Sequence, residues 1–125
     1  MASPSQEFFD EINRLGHHRL LEKATGTVRI DLTRDSVIEN WFVVIKAGDI
    51  SASRENTPAN AVVRADQATF DRIARGEMNA TAAIARGEVS VRGDSRLLIQ
   101  FVRLFPAQPG SSGRRLIATG GRRQL

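Results

Sequence analysis

Apolar residues along this chain change period several times, and each change marks an element. Ser3-Pro4-Ser5-Gln6 reads as a helix start: Ser3 caps, Pro4 suits the first helical position, and Gln6 completes a capping box. Phe8, Ile12 and Leu15 recur at helical spacing with Phe9 beside them, and Leu20 and Leu21 extend that face, predicting a helix over 4–23. Gly26 lies just past its end, where a left-handed turn needs no side chain. The period then becomes two. Val28, Ile30 and Leu32 alternate with Arg29 and Asp31 in a half-buried strand, and Thr33–Ser36 is turn chemistry. Trp41–Lys46 is a nearly continuous apolar run, which predicts a central strand covered on both faces. Ala47-Gly48-Asp49 turns it back into Ile50–Ser53, and a polar loop over 54–60 leads to a fourth strand, Ala61–Ala65. The expectation is an antiparallel meander.

The second half reads as helices around one more strand. Asp66 caps a helix over 67–75 with Phe70, Ile73 and Ala74 inward, closed by Gly76. Asn79 starts a short helix to Arg86 that Gly87 ends. Val89 and Val91 mark a fifth strand, and Gly93-Asp94 caps a last helix, Ser95–Phe105, stopped by Pro106. Segregated runs of strands and helices predict an α+β domain with a single, mostly antiparallel sheet covered by helices. The last helix is unusual. Leu97, Leu98, Phe101, Val102 and Phe105 form a stripe that Ile99 and Leu104 widen, leaving only Arg96, Gln100 and Arg103 polar. One core needs an apolar arc of about 100°. The surplus predicts a buried or subunit-packing helix, or one that lines an apolar cavity.

Composition narrows the function. With 125 residues, 41% hydrophobic and 26% charged, the chain has the makeup of one soluble domain. The net charge of +4 is misleading as a global figure. Residues 106–125 carry Arg114, Arg115, Arg122 and Arg123 and no acid, so the other 105 residues balance 14 basic against 14 acidic groups. The domain is expected to span 1–105, with a helix over 4–23 and a core over 26–105, followed by a Gly/Ser/Pro linker and Arg-rich tail. The tail would grip an anionic surface or nucleic acid only through those arginines, and it has no aromatic residue for base stacking. A neutral body makes nucleic acid an unfavoured partner.

Catalytic motifs are missing from the sequence. There is no Gly-rich phosphate loop, His-Glu-x-x-His or Gly-x-Ser-x-Gly, and no cysteine for a thiol nucleophile or thiolate metal site. His17 and His18, adjacent on the expected helix, would point about 100° apart and read as a solvated pair. Asn79-Ala80-Thr81 matches a glycosylation sequon, but Asn79 is explained as a cap. No run approaches the roughly 18 apolar residues of a membrane span, and charges in the first twenty residues argue against a secretion signal. No cofactor, metal or catalytic residue is expected, and the cytoplasm is the default location.

The stretch Arg75–Asp94 holds Gly76, Met78 and Asn79, then Ala83, Gly87, Val89, Val91, Gly93 and Asp94. In that order it resembles the signature of the sterol carrier protein 2 (SCP-2) family, where a Gly-Lys-Met/Leu-Asn-Pro turn precedes a short helix and a Gly-Lys-Leu-x-Ile-x-Gly-Asp/Asn strand. Trp41, Lys46-Ala47-Gly48 and Ala65-Asp66 with Phe70 also fit, so the likeness covers roughly 26–105. Ala80 stands where the family usually has Pro, Ile84 where it has Phe, and Glu77 and Glu88 where it has Lys. The terminal Arg-Gln-Leu differs from the peroxisomal address of eukaryotic members, as in a stand-alone bacterial protein. The resemblance implies a five-stranded sheet with helices on one side, enclosing an apolar tunnel for a sterol, fatty acid or fatty acyl-CoA, and no bond chemistry. Candidate wall residues are Phe70, Ile73 and Ile84 from the middle helices, and Trp41 and Val43 from the sheet. Leu97, Leu98, Phe101, Val102 and Phe105 come from the last helix. The rival expectation is a protein-interaction or homodimerisation module that packs solid and binds a protein or an acidic surface through the last helix or the tail.

Overall fold

The computed structural model describes residues 3–106. The first helix, α1 (Pro4–Leu15), starts as its sequence predicts: Ser3 Oγ accepts from the Gln6 N–H at 3.1 Å, with Pro4 in the first turn. It stops sooner than the apolar spacing implies. Gly16 adopts φ 69°, and its N–H returns to the Ile12 carbonyl at 3.0 Å. That left-handed residue ends the helix, so the expected helix over 4–23 is two pieces, α1 and a single 3-10 turn, Arg19–Leu21. His17 and His18 consequently lie off any α-helix. His17 bridges Asp49 (Nδ1 to Oδ1 2.9 Å) and Glu22 (Nε2 to Oε2 3.0 Å), and His18 Nδ1 accepts from Leu20 N–H.

β1 (Thr25–Arg34) and β2 (Val37–Lys46) pair antiparallel along their whole length, and β2 returns through Ala47-Gly48 into β3 (Asp49–Ser53). The expected meander ends there. β4 (Ala61–Asp66) pairs parallel to β1 rather than against β3, and β5 (Val89–Gly93) pairs antiparallel to β4. The order is β3-β2-β1-β4-β5, a mixed sheet with one parallel pair. Asn60 sets that junction. Its Oδ1 accepts from the Thr27 N–H at 2.9 Å and from Thr27 Oγ1 at 3.1 Å, and its own N–H donates to Thr27 Oγ1 at 3.0 Å.

Helices α2 (Gln67–Ala74), α3 (Ala80–Ala85) and α4 (Ser95–Val102) complete the fold. Asn79 Oδ1 caps α3 through Ala82 N–H, and Asp94 Oδ1 caps α4 through Leu97 N–H. Asp66 stands at the α2 N-cap, but its carboxylate accepts from Thr33 Oγ1 at 2.8 Å instead. α4 also ends early, at Val102. Leu104 and Phe105 N–H groups bond three residues back, to Phe101 and Val102, which tightens the last turn.

Helices cover one face of the sheet. Val28, Ile30, Leu32, Trp41, Val43 and Ile45 are buried on it, while Val44 on the opposite face of β2 is 39% exposed. The apolar run in β2 therefore does not signal a strand covered on both sides. Phe9 anchors α1 in the core, stacked on Trp41 at 4.3 Å and on Phe70 at 5.7 Å.

Two outcomes follow from this packing. A Cβ on Gly93, which has φ +99°, would lie 2.3 Å from the Asn60 carbonyl oxygen, so Gly93→Ala must shift backbone. Urea denaturation should show a loss of about 2–4 kcal/mol. The His17 imidazole is held above its ordinary pKa, chiefly by hydrogen bonding to Asp49 and then Glu22. Its contribution to stability is full below the unfolded value of about 6.5 and fades as pH rises through the raised folded value. His17→Gln should flatten the stability profile across that window, as read by thermal melting from pH 5 to about pH 8.

Candidate functional site

Between α2, α3, α4 and the β4–β5 end of the sheet lies an apolar cavity. α2 presents Phe70 and Ile73, both buried, and α3 presents Ala80 and Ile84. Val63 of β4 and Val89 and Val91 of β5 form the floor; Leu98, Phe101, Val102 and Phe105 close the remaining side. Its volume is about 20 Å3, enough for about one water molecule. Among the described residues no polar side chain lines it.

Outside this cavity, between α3 and α4, runs an open groove of about 410 Å3. Ile84, Val91, Leu98 and Val102 line both spaces and form the partition between them. The groove adds Thr81, Ser95, Ile99 and Arg103. Ile99 is 61% exposed, and Arg103 is the one charged residue of the lining among the described residues. Its guanidinium donates to Gln100 Oε1 at 3.3 Å. At the far end, Phe105 stacks on Phe8 at 4.5 Å and meets Phe70 and Phe101 edge-on at 5.4 and 5.6 Å. These rings shut the cavity off from α1.

Seven of the ten residues named from the sequence thus meet at one cavity: Phe70, Ile73, Ile84, Leu98, Phe101, Val102 and Phe105. Trp41 and Val43 do not. They lie on β2, with β1 and β4 between it and β5 in the sheet. Trp41 packs under α1, its indole N–H donating to Glu39 Oε1 at 3.0 Å and the Arg54 guanidinium 5.0 Å above its ring. Leu97 faces away from the cavity, packed so closely on Gly26 that a Cβ there would sit 2.8 Å from Leu97 Cδ2. Val63, Ala80, Val89 and Val91 join the wall without having been singled out. The alternation of Val89 and Val91 was the available signal, and the Val63–Val91 pairing turns it into a wall position.

Among the described residues no group of three His, Asp or Glu is placed to hold a metal ion, and no helix is long and apolar enough to cross a membrane. Arg114, Arg115, Arg122 and Arg123 lie outside the described residues.

A single sheet with helices on one face and an apolar recess beneath the last helix defines a small α+β binding domain. Residues 9–106 match the model of the SCP-2 sterol transfer family, and the chain belongs to that family. Its fold is similar to the sterol carrier protein domain 2 of Helicoverpa armigera (TM-score 0.68, 13% identity, 82% of this chain and 85% of that one). It is also similar to sterol carrier protein 2 from Yarrowia lipolytica in its apo form (TM-score 0.64, 18% identity, 77% of this chain and 92% of that one). A third likeness is to palmitated SCP2L2 from Aedes aegypti (TM-score 0.61, 16% identity, 82% of this chain and 94% of that one). No curated protein matches the chain.

Ala80 offers a test of the wall itself. It is the first residue of α3, no hydrogen bond from its N–H is needed by the helix, and Asn79 before it is extended (φ −76°, ψ 126°). Ala80→Pro should therefore raise stability by about 0.4–1 kcal/mol in urea denaturation by restricting the unfolded chain.

Proposed function

We propose that this protein binds and carries a lipid with a long acyl chain and performs no bond chemistry on it. The observation that carries this reading is the shared wall: a 410 Å3 groove and an entirely apolar cavity, divided only by Ile84, Val91, Leu98 and Val102. Membership of the sterol transfer family and the palmitate on the Aedes aegypti neighbour support it. The cavity's 20 Å3 is too small for a chain, so binding requires these side chains to part and the groove to merge with the cavity. Transfer of about sixteen methylenes from water supplies on the order of 13 kcal/mol, at ~0.8 kcal/mol each, against association and ordering costs of several kcal/mol. That surplus suffices to open a wall made of side-chain contacts.

The finer reading concerns the head group. Among the described residues Arg103 is the only charge lining the groove, with Thr81 and Ser95 as further hydrogen-bonding partners. An anionic fatty acid or fatty acyl thioester suits this mouth better than a neutral sterol.

Native mass spectrometry of freshly purified protein should show a bound lipid, and the protein should displace a fluorescent fatty acid from its own site when given palmitate. Arg103→Gln should weaken palmitate about tenfold and leave hexadecanol unchanged. Val102→Trp, which fills the partition, should abolish both. If neither ligand binds the native protein, lipid carriage fails; if Arg103→Gln affects both or neither, only the head-group assignment fails. A stable oligomer that Ile99→Asp breaks, at a residue 61% exposed on α4, with no ligand uptake, would favour an interaction module.

A further inference from the structure

The sheet face turned away from the helices carries an arginine arrangement that the lipid reading does not use. Strand register places Arg29, Val62 and Arg92 side by side across β1, β4 and β5, and Asp31, Arg64 and Ser90 in the next row. These six residues line a groove of about 310 Å3. Asp31 and Arg64 face each other directly across the β1–β4 pair, where opposite charges normally join. They do not join here. The Asp31 side chain, only 10% exposed, is held by Arg29 through Nε at 3.0 Å and Nη2 at 3.2 Å, and by Asn40 Nδ2 at 2.7 Å. Arg64 and Arg92 have no carboxylate within 4.0 Å among the described residues. They are diagonal neighbours on adjacent strands, with Cα atoms roughly 7–8 Å apart, within reach of each other for long side chains.

We propose that this groove is a second binding site, for a small phosphoryl-type oxyanion. Arg64 and Arg92 supply two guanidinium forks, and the Ser90 hydroxyl, on β5 opposite Arg64, supplies a third donor. Arg29 is a positioning residue. By occupying both oxygens of Asp31 it keeps that carboxylate from pairing with Arg64 or repelling the anion. Val62, between Arg29 and Arg92 in the first row, adds an apolar patch to the lining. The acyl cavity lies on the other face of the sheet, so the two sites would fill independently.

A free phosphate ester and a phospholipid head group share this chemistry, and the test separates them. The full-length protein is titrated with inorganic pyrophosphate while arginine side-chain N–H and backbone amide NMR signals are followed. In parallel it is sedimented with phosphatidylcholine vesicles with and without phosphatidylglycerol. Saturable shifts confined to Arg64, Arg92, Ser90 and Val62 are expected. Arg64→Gln and Arg92→Gln should each weaken binding at least about tenfold, while Arg34→Gln on the same sheet should leave it unchanged. Arg64→Lys, which keeps the charge but loses the fork, should fall between native and Arg64→Gln and guards against a folding artefact. Absence of saturation, or equal weakening by Arg34→Gln, would overturn the site. So would vesicle binding that depends on Arg64 and Arg92 without any saturable response to pyrophosphate, since that assigns the arginines to a membrane surface.

Discussion

Thr27 and Asn60 exchange three hydrogen bonds at the start of β4, and that contact holds β4 parallel to β1. The rest of the molecule is arranged by this pairing. It carries β5 to the sheet edge farthest from β2 and β3, so the chain after α2 must build over that edge. Gly93 lets the β5 end approach Asn60 closely, and Asp94, whose N–H donates to the Asn60 carbonyl at 3.0 Å, immediately caps α4. Asn60 therefore sits at three junctions: its side chain bonds Thr27 at the start of β4, and its main-chain carbonyl meets the end of β5 and the start of the helix that roofs the cavity.

The two halves of the core are held differently. Beneath α1 the rings of Trp41, Phe9 and Phe70 stack in sequence, and Phe8 and Phe105 continue the series to Phe101. Ring contacts of this kind stabilise that half by about 0.5–1.5 kcal/mol each beyond burial. Beneath α3 the wall is made of Ala80, Ile84 and valines. α3 has only six residues, far too few for a helix to be stable alone, and its place depends on the Asn79 cap and packing on β5. A short helix over small side chains is the cheapest part of such a domain to displace. The groove lies against that helix.

Much of this was legible in the chain. The caps at Ser3, Asn79 and Asp94 sit where side-chain chemistry requires them, and the surplus apolar arc of the last helix marks the cavity through Leu98, Phe101 and Val102. The parallel β1–β4 pairing was not legible, because the fourth strand's pattern is the same whichever neighbour it takes. The position of Trp41 and Val43 under α1 was not legible either, because an inward-facing strand residue reads the same whichever helix covers it. The early end of α1 was written at Gly16, but Leu20 and Leu21 continued the apolar spacing beyond it. Balanced total charge also concealed the arginines of the outer face, since charge counts carry no register.

The central claim is that an acyl chain passes through the partition and ends among the rings of the inner cavity. Isotope-filtered NMR with methyl-labelled palmitate measures this directly. The account predicts contacts from the terminal methyl to Ile73, Phe70 and Phe101. Contacts only to Ile99 and Thr81 at the surface, with Ile73 and Phe101 signals unmoved at saturation, would contradict it.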